Sequence, residues 1–137
     1  MAGTLQCVVV TPERAVFDEP ADFVALPMFD GELGVAPGRA PLIGRLGTGE
    51  LRTRKGGVTK RYFVDGGFAQ VRNNVVTVLT ERALKAEEIS VEAAQTTLQR
   101  AQAPTAKPEE QKAHERAQLR ARAQLRIARK REGETTL

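Results

Sequence analysis

A stretch of sixteen residues rich in glycine and proline constrains this 137-residue chain more than any other part of its sequence. The stretch reads Gly31-Glu-Leu-Gly-Val-Ala-Pro-Gly-Arg-Ala-Pro-Leu-Ile-Gly-Arg-Leu46. Its glycines give the backbone conformational freedom, while Pro37 and Pro41 each remove a hydrogen-bond donor and fix a φ angle. We therefore predict a shaped, irregular surface segment that presents backbone groups and carries out no chemistry.

Short runs rich in β-branched and aromatic residues surround this segment, separated by turn residues about every 8 to 12 positions. Such spacing is typical of an all-β sandwich or barrel. Lys55-Gly-Gly57 and Asn73-Asn74 predict hairpin turns, because Gly and Asn tolerate the positive φ angles of tight turns. Gly66-Gly67 lies inside an apolar run and predicts a close backbone approach or a bulge. The predicted strands are Leu5 to Val10, Ala15 to Asp18, Asp22 to Leu26, Leu33 to Val35, Leu42 to Leu46, Glu50 to Arg54, Val58 to Val64, Phe68 to Arg72 and Val75 to Thr80.

The hydrophobic period changes to that of a helix near Glu81. Ser90 is a good N-cap for a first helix over about 90–103, because a serine oxygen can accept a bond from the first helical turn. Pro108 is suited to the first turn of a second helix over about 109–131, and Gly133 is a candidate terminator. These signals predict two antiparallel helices.

The large apolar residues stop near Leu84, and the last third of the chain is dominated by Ala, Arg, Gln and Glu. We therefore predict a β-sandwich domain over residues 1–85 and a lightly anchored helical hairpin over 86–137.

Charge is concentrated in the second helix. Between Lys112 and Arg131 there are eight basic residues and one acid, whereas residues 1–84 carry ten basic residues and nine acids. We predict a basic face formed by Arg116, Arg120, Arg122 and Arg126. The opposite face carries a stripe of small residues, which buries about 0.8 kcal/mol per methyl group, so the hairpin should be weakly packed. The stripe consists of Ala113, Ala117, Ala121, Leu125 and Ala128.

No catalytic or metal-binding pattern is visible in the sequence. Cys7 is the only cysteine and His114 the only histidine, so neither a disulfide nor a zinc cluster can form within the chain. The glycines do not form a phosphate-binding loop, and no cofactor is expected. The N-terminus lacks the basic start of a signal peptide, and no apolar run approaches the ~20 residues that span a bilayer. Any membrane association is therefore expected to come through a partner.

Four interpretations of the basic helix remain open. Nucleic-acid binding would use its arginines on phosphates, but the face carries no aromatic residue for stacking. Membrane-surface binding would need large apolar anchors, which alanine does not supply. An acidic protein surface fits better, and a simply solvated face is the fourth possibility. A cytosolic adaptor whose basic helix binds nucleic acid or another acidic partner is therefore the alternative function.

Three segments together resemble the epsilon subunit family of F-type ATP synthases. They are Gly31-Glu-Leu-Gly-Val35 with Pro37-Gly38 and Ala40-Pro41-Leu42, Gly66-Gly67-Phe68, and Val75 to Leu79. The resemblance implies a flattened sandwich of two antiparallel sheets followed by a C-terminal helical hairpin. It also implies a non-catalytic central-stalk role, in which the subunit docks on the gamma subunit and the c-ring and couples rotation to ATP synthesis.

The resemblance assigns roles to particular residues. The edge facing gamma and the c-ring would comprise Gly31, Glu32, Gly34, Pro37, Gly38, Arg39 and Pro41, with Arg39 standing where the family usually has His. The basic helix would reach the acidic base of the catalytic subunits and regulate ATP hydrolysis. The family's nucleotide-binding variant has polar anchors where this chain has Ser90 and Ala93, so ATP binding by the hairpin is not expected. The location implied is the cytoplasmic face of a bacterial inner membrane, as a peripheral protein.

Overall fold

The structure, a computed structural model, describes residues 3–105 and 107–135, with the side chains of 3–105 and 107–130. Ten strands are followed by two helices. The strands are β1 Leu5–Val10, β2 Ala15–Ala21, β3 Phe23–Met28, β4 Gly31–Val35, β5 Leu42–Arg45, β6 Thr48–Lys55, β7 Val58–Asp65, β8 Phe68–Arg72, β9 Val75–Leu79 and β10 Ala83–Lys85. The helices are α1 Val91–Ala101 and α2 Pro108–Thr135.

The strands form two five-stranded sheets that pack as a sandwich. Sheet A has the order β2-β1-β9-β8-β5, and sheet B has the order β10-β7-β6-β3-β4. Neighbouring strands are antiparallel except β1 and β9, which pair in parallel. A parallel pair needs a long crossover, which the intervening strands supply. The predicted fold class is confirmed, with this one parallel pairing added.

Strand alternation explains the sandwich core. In β1, Leu5, Cys7 and Val9 are buried and alternate with partly exposed residues. Similar alternation in β6, β8 and β9 places one face of each sheet in a shared core, because successive side chains point to opposite faces of a strand. Strands β3 and β7 each bury three consecutive residues instead. The core therefore lies between the sheets, where it includes Val24, Leu26, Val35, Leu46, Leu51, Val64, Val71, Val76 and Val78.

The predicted turns are confirmed. Asn73 and Asn74 have φ angles of 51° and 62°, and Gly56 and Gly57 have 56° and 82°. Gly67 has a φ of 102°, and a Cβ there would lie 1.9 Å from the carbonyl oxygen of Leu79. Gly67 is thus the close backbone approach that the sequence predicts.

The glycine and proline segment contains the two predicted strands, with β4 starting at Gly31 rather than at Leu33. Gly31–Val35 and Leu42–Arg45 are strands, so only residues 36–41 lack regular structure. Strand β10 and a 3-10 turn over Ala86–Glu88 were not predicted, because three-residue elements give little periodicity. These two short elements connect the sandwich to the helices.

Both helices lie close to their predicted positions. The Ser90 hydroxyl accepts a hydrogen bond from the Ala93 backbone at 3.2 Å, so Ser90 is the N-cap of α1 as predicted. Helix α2 begins at Pro108 and continues to Thr135, past the predicted end at residue 131. Gly133 does not terminate it, because one glycine costs a helix only about 1 kcal/mol.

The helices pack on the outer face of sheet B. Ile127 and Ala123 of α2 are buried in one apolar cluster with Phe63 of β7 and Ile89, and Leu84 packs against this cluster. Burying a side chain such as Phe63 or Ile127 contributes about 1.5–3 kcal/mol. The hairpin is therefore anchored by more than its alanine stripe.

We predict that a fragment ending at Lys85 folds alone as a β protein but melts about 10 °C below the full chain, because Phe63 loses its cover. Circular dichroism and thermal melting test this. In the full chain, Ile127→Ala should weaken the packing of α2 on the sandwich and lower the melting temperature. The matched change Leu119→Ala, at a side chain that is 51% exposed, should leave the melting temperature unchanged. A disordered fragment would contradict the proposed division into two domains.

Candidate functional site

The predicted docking edge, Gly31 to Pro41, lies along one side of the sandwich. Strand β4 is the edge strand of sheet B, and β5 is the edge strand of sheet A. Residues 36–41 cross from one sheet to the other between them. The segment therefore presents the edges of both sheets on the same side of the domain.

Three of the seven predicted edge residues share a cleft. Gly31, Glu32 and Arg39 line a space of about 540 Å³ together with Phe29 and Arg45. The Arg45 guanidinium lies 4.5 Å from the centre of the Phe29 ring, a cation–π distance. This cleft combines exposed charges with an exposed aromatic ring.

Glu32 is already engaged within the chain. Its two carboxylate oxygens accept hydrogen bonds from the two terminal nitrogens of Arg52, at 2.8 and 2.9 Å. These bonds lower the pKa of Glu32 from its ordinary value, because they favour the charged form. Glu32 thus points over the outer face of sheet B.

The other edge residues are mainly structural within the chain. Gly38 has a φ of 87°, and its backbone nitrogen donates to the side-chain oxygen of Asn74 at 2.8 Å. At Gly34 a Cβ would lie 2.9 Å from the Phe23 ring, so the ring needs a glycine there. Pro37 is partly buried and Pro41 is exposed, and neither lines the cleft.

Sequence reasoning did not identify an exposed apolar patch beside the edge. Phe29, Ile43, Phe68 and Leu79, here called the apolar patch, have exposed side chains, with Ile43 73% exposed and Phe68 56%. Phe68 pairs with Arg45 on one side and Leu79 on the other, on the outer face of sheet A. The signal in the sequence was Val75-Val-Thr-Val-Leu79, where apolar residues occupy both faces of one strand. Large exposed apolar clusters mark interaction surfaces.

The structure separates the four predicted arginines of α2. Arg116, Arg122 and Arg126 are exposed. Arg120 instead turns toward the sandwich, where its Nε donates to Asp65 at 2.6 Å. At 100° per residue, positions 120, 123 and 127 share a face of the helix. Because Ile127 packs against sheet B, Arg120 on the same face also points toward sheet B.

The predicted alanine stripe is divided in a similar way. Ala121 and Ala128 are buried, Ala117 and Leu125 are partly buried, and Ala113 is exposed. Helix α1 packs against α2, and Gln118 of α2 donates to the carbonyl of Ala101 at 2.6 Å. The stripe therefore forms the helix pair, while Ala123 and Ile127 form a second seam against the sandwich.

A second cleft of about 330 Å³ lies between the helices and the sandwich, and Ser90, Ala93 and Arg120 line part of it. The Ser90 oxygen caps α1, Ala93 has no polar side chain, and the Arg120 guanidinium pairs with Asp65. None of these three side chains offers an unpaired charge that could bind a ligand.

The described residues contain no cluster of three or more His, Cys, Asp or Glu side chains able to bind a metal ion. Burial raises the pKa of the Cys7 thiol to about 12, with a further contribution from Glu19, so this thiol is a poor nucleophile. No helix in the described parts of the chain is long and apolar enough to cross a membrane.

Comparisons with known proteins identify the family. The family model of the ATP synthase delta/epsilon chain beta-sandwich domain matches residues 4–86. An ATP synthase epsilon chain of Rhodopirellula baltica is 54% identical over 127 residues, which cover 92% of this chain and 99% of that relative. The chain belongs to the ATP synthase epsilon chain family.

A further relative and two solved structures are similar to this chain over more than nine-tenths of its length. An epsilon chain of Nitratidesulfovibrio vulgaris is 40% identical over 93% of this chain and 97% of that relative. A chain of the Euglena gracilis mitochondrial ATP synthase, in a structure of OSCP, F1 and c-ring, matches 96% of this chain and 81% of its own length. Its TM-score is 0.70 at 25% identity. A chain of the Tetrahymena thermophila mitochondrial ATP synthase central stalk and c-ring shares the fold, with a TM-score of 0.67 at 14% identity, covering 93% of this chain and 98% of that one. The family predicted from the sequence is confirmed.

Proposed function

We propose that the chain is a non-catalytic central-stalk subunit of a bacterial F-type ATP synthase, which couples rotation to ATP synthesis. The observation that carries this proposal is its 54% identity with an epsilon chain along 99% of that relative. The alternative of a nucleic-acid-binding adaptor finds no support among these relatives, and α2 contains no aromatic residue for base stacking.

The proposed location is the cytoplasmic face of the inner membrane, with attachment through the complex. The named relatives at 54% and 40% identity are both bacterial, and the Euglena neighbour was solved with F1 and a c-ring. The gamma subunit, the c-ring and the catalytic alpha and beta subunits are the proposed partners.

We propose that gamma binds the apolar patch and that the c-ring meets the charged residues of the adjoining cleft, which shares Phe29 and Ile43 with the patch. The patch is open on sheet A, whereas α2 covers the outer face of sheet B at β6 and β7. A permanent partner such as gamma is expected to cover apolar surface, because obligate interfaces are the more hydrophobic ones. Glu32 and Arg39 supply polar contacts at the adjoining edge.

We predict that Phe68→Glu and Ile43→Glu each weaken assembly with gamma and the c-ring at least tenfold, because a charge would be buried at the interface. Val58→Glu is the matched control, since Val58 is 60% exposed at the far end of β7. Co-purification of the complex measures assembly, and melting of the isolated variants shows whether they remain folded. Normal assembly of folded Phe68→Glu and Ile43→Glu chains would remove the patch from the interface.

We further propose that α1 and α2, the arm, regulate ATP hydrolysis through basic residues. Arg116, Arg122 and Arg126 are exposed and available to an acidic surface of the catalytic subunits. Arg120 becomes available only when it leaves Asp65, whose other carboxylate oxygen accepts a bond from Thr48 at 2.9 Å. The arm is therefore proposed to have a docked state and a released state.

Deletion of the residues after Ala103 is expected to raise ATP hydrolysis by the assembled complex several-fold without uncoupling it. Arg122→Glu with Arg126→Glu should reproduce part of this effect, and high salt should reduce it by screening. Lys55→Glu, an exposed charge at the far end of the sandwich, is the control. Equal hydrolysis rates in the intact and deleted complexes, across a range of salt and proton-motive force, would show that the arm is only structural.

A further inference from the structure

Glu50 is the centre of a charge cluster beneath α2. One of its carboxylate oxygens, Oε1, accepts hydrogen bonds from Arg52 at 3.1 Å, Arg61 at 3.0 Å and Lys130 at 3.3 Å. The side chain is only 10% exposed. Its second oxygen, Oε2, is buried and has no hydrogen-bond partner among the described residues. The cluster therefore has an acceptor that a neighbouring cation could use.

The Arg52 guanidinium binds two carboxylates at once. Both of its terminal nitrogens bind Glu32 on the edge strand β4, and one of them, Nη1, also binds Glu50. The hydrogen bonds that Arg52 donates to Glu32, and after them the one that it donates to Glu50, raise the pKa of Arg52. Arg52 thus connects the docking edge to the residue that binds Lys130 of α2.

We propose that Arg52 couples the docking edge to the arm: a cationic group of a partner that binds Glu32 releases Arg52 to Glu50 and thereby weakens the attachment of α2 through Lys130.

The geometry gives the sign of this coupling. When Glu32 is taken by another cation, Arg52 loses its bidentate partner and can turn its second nitrogen toward Oε2 of Glu50. A bidentate pair is the stronger arrangement for a guanidinium and a carboxylate. Glu50 is then more fully neutralised, and its attraction for Lys130 decreases. A Lys or Arg side chain on the partner supplies the required charge.

Glu32, Arg52, Glu50 and Lys130, here called the relay, are linked in that order by hydrogen bonds of 2.8 to 3.3 Å. The positive charge of Lys130 also contributes to lowering the pKa of Glu32, after the dominant hydrogen bonds from Arg52. The inference rests on the proposed function only for the existence of a docking partner at Glu32. The internal relay is a property of the isolated chain and is tested there.

Hydrogen exchange of the isolated full chain tests the relay. Glu32→Gln imitates the occupied edge, and it should speed exchange of the α2 amides over residues 121–130 two- to fivefold. Arg52→Met should slow that exchange about twofold. Without Arg52, the Glu50 carboxylate interacts only with Arg61 and Lys130 among these cations, so it attracts Lys130 more strongly. In the Arg52→Met background, Glu32→Gln should change the exchange by less than 1.5-fold. Amides of β1 and β9 report global stability and should be unaffected throughout.

Glu19→Gln is the matched control. It breaks the Lys60–Glu19 ion pair, 2.9 Å long and exposed on the same domain, which has no described contact with α2. The relay is contradicted if Glu32→Gln leaves α2 exchange unchanged, if Arg52→Met accelerates it, or if Glu32→Gln acts equally in both backgrounds. Loss of assembly in the Phe68→Glu variant would be a separate result, since it concerns the docking surface alone.

Discussion

The packing of Ile127 and Ala123 against Phe63 determines how the two parts of this chain relate. A side chain such as Ile127 contributes about 1.5–3 kcal/mol on burial, and the ion pairs Arg120–Asp65 and Lys130–Glu50 add less because they are partly exposed. The total is enough to dock the arm on the sandwich. It is also small enough that contacts with another protein could compete with it.

The outer faces of the two sheets differ in what covers them. Sheet B is covered at β6 and β7 by the chain's own α2, whereas sheet A leaves Phe68, Leu79 and Ile43 exposed. The edge strands β4 and β5 lie on the same side, joined by residues 36–41. A domain built in this way can bind a permanent partner on one face and keep a movable element on the other.

Much of the sandwich could be predicted from the sequence because its signals are local. A run rich in β-branched residues marks β1, the pair Asn73-Asn74 marks a hairpin turn, and Ser90 marks the start of α1. The Gly and Pro spacing in the segment from Gly31 to Leu46, together with Gly66-Gly67-Phe68 and Val75 to Leu79, was sufficient to suggest the family.

The remaining features depend on contacts between distant residues. Arg120 and Asp65 are 55 positions apart, and Lys130 and Glu50 are 80 apart, so no local pattern could pair them. Charge alone grouped Arg120 with Arg116, Arg122 and Arg126. Helical period places Arg120 on the face of Ile127, but the sequence does not show that this face docks on the sandwich. Gly34 likewise looks like a flexible backbone position until the ring of Phe23 is seen to cover it.

We propose that this chain docks in the central stalk through the apolar patch. A photoreactive residue placed at Phe68, in the native complex, measures this most directly. Mass spectrometry of the cross-linked products should find Phe68 joined to gamma, while the same residue at Val58, on the far end of β7, gives little product. Cross-linking from Val58 as strong as from Phe68, or no cross-link to gamma from Phe68 in an assembled complex, would contradict the claim.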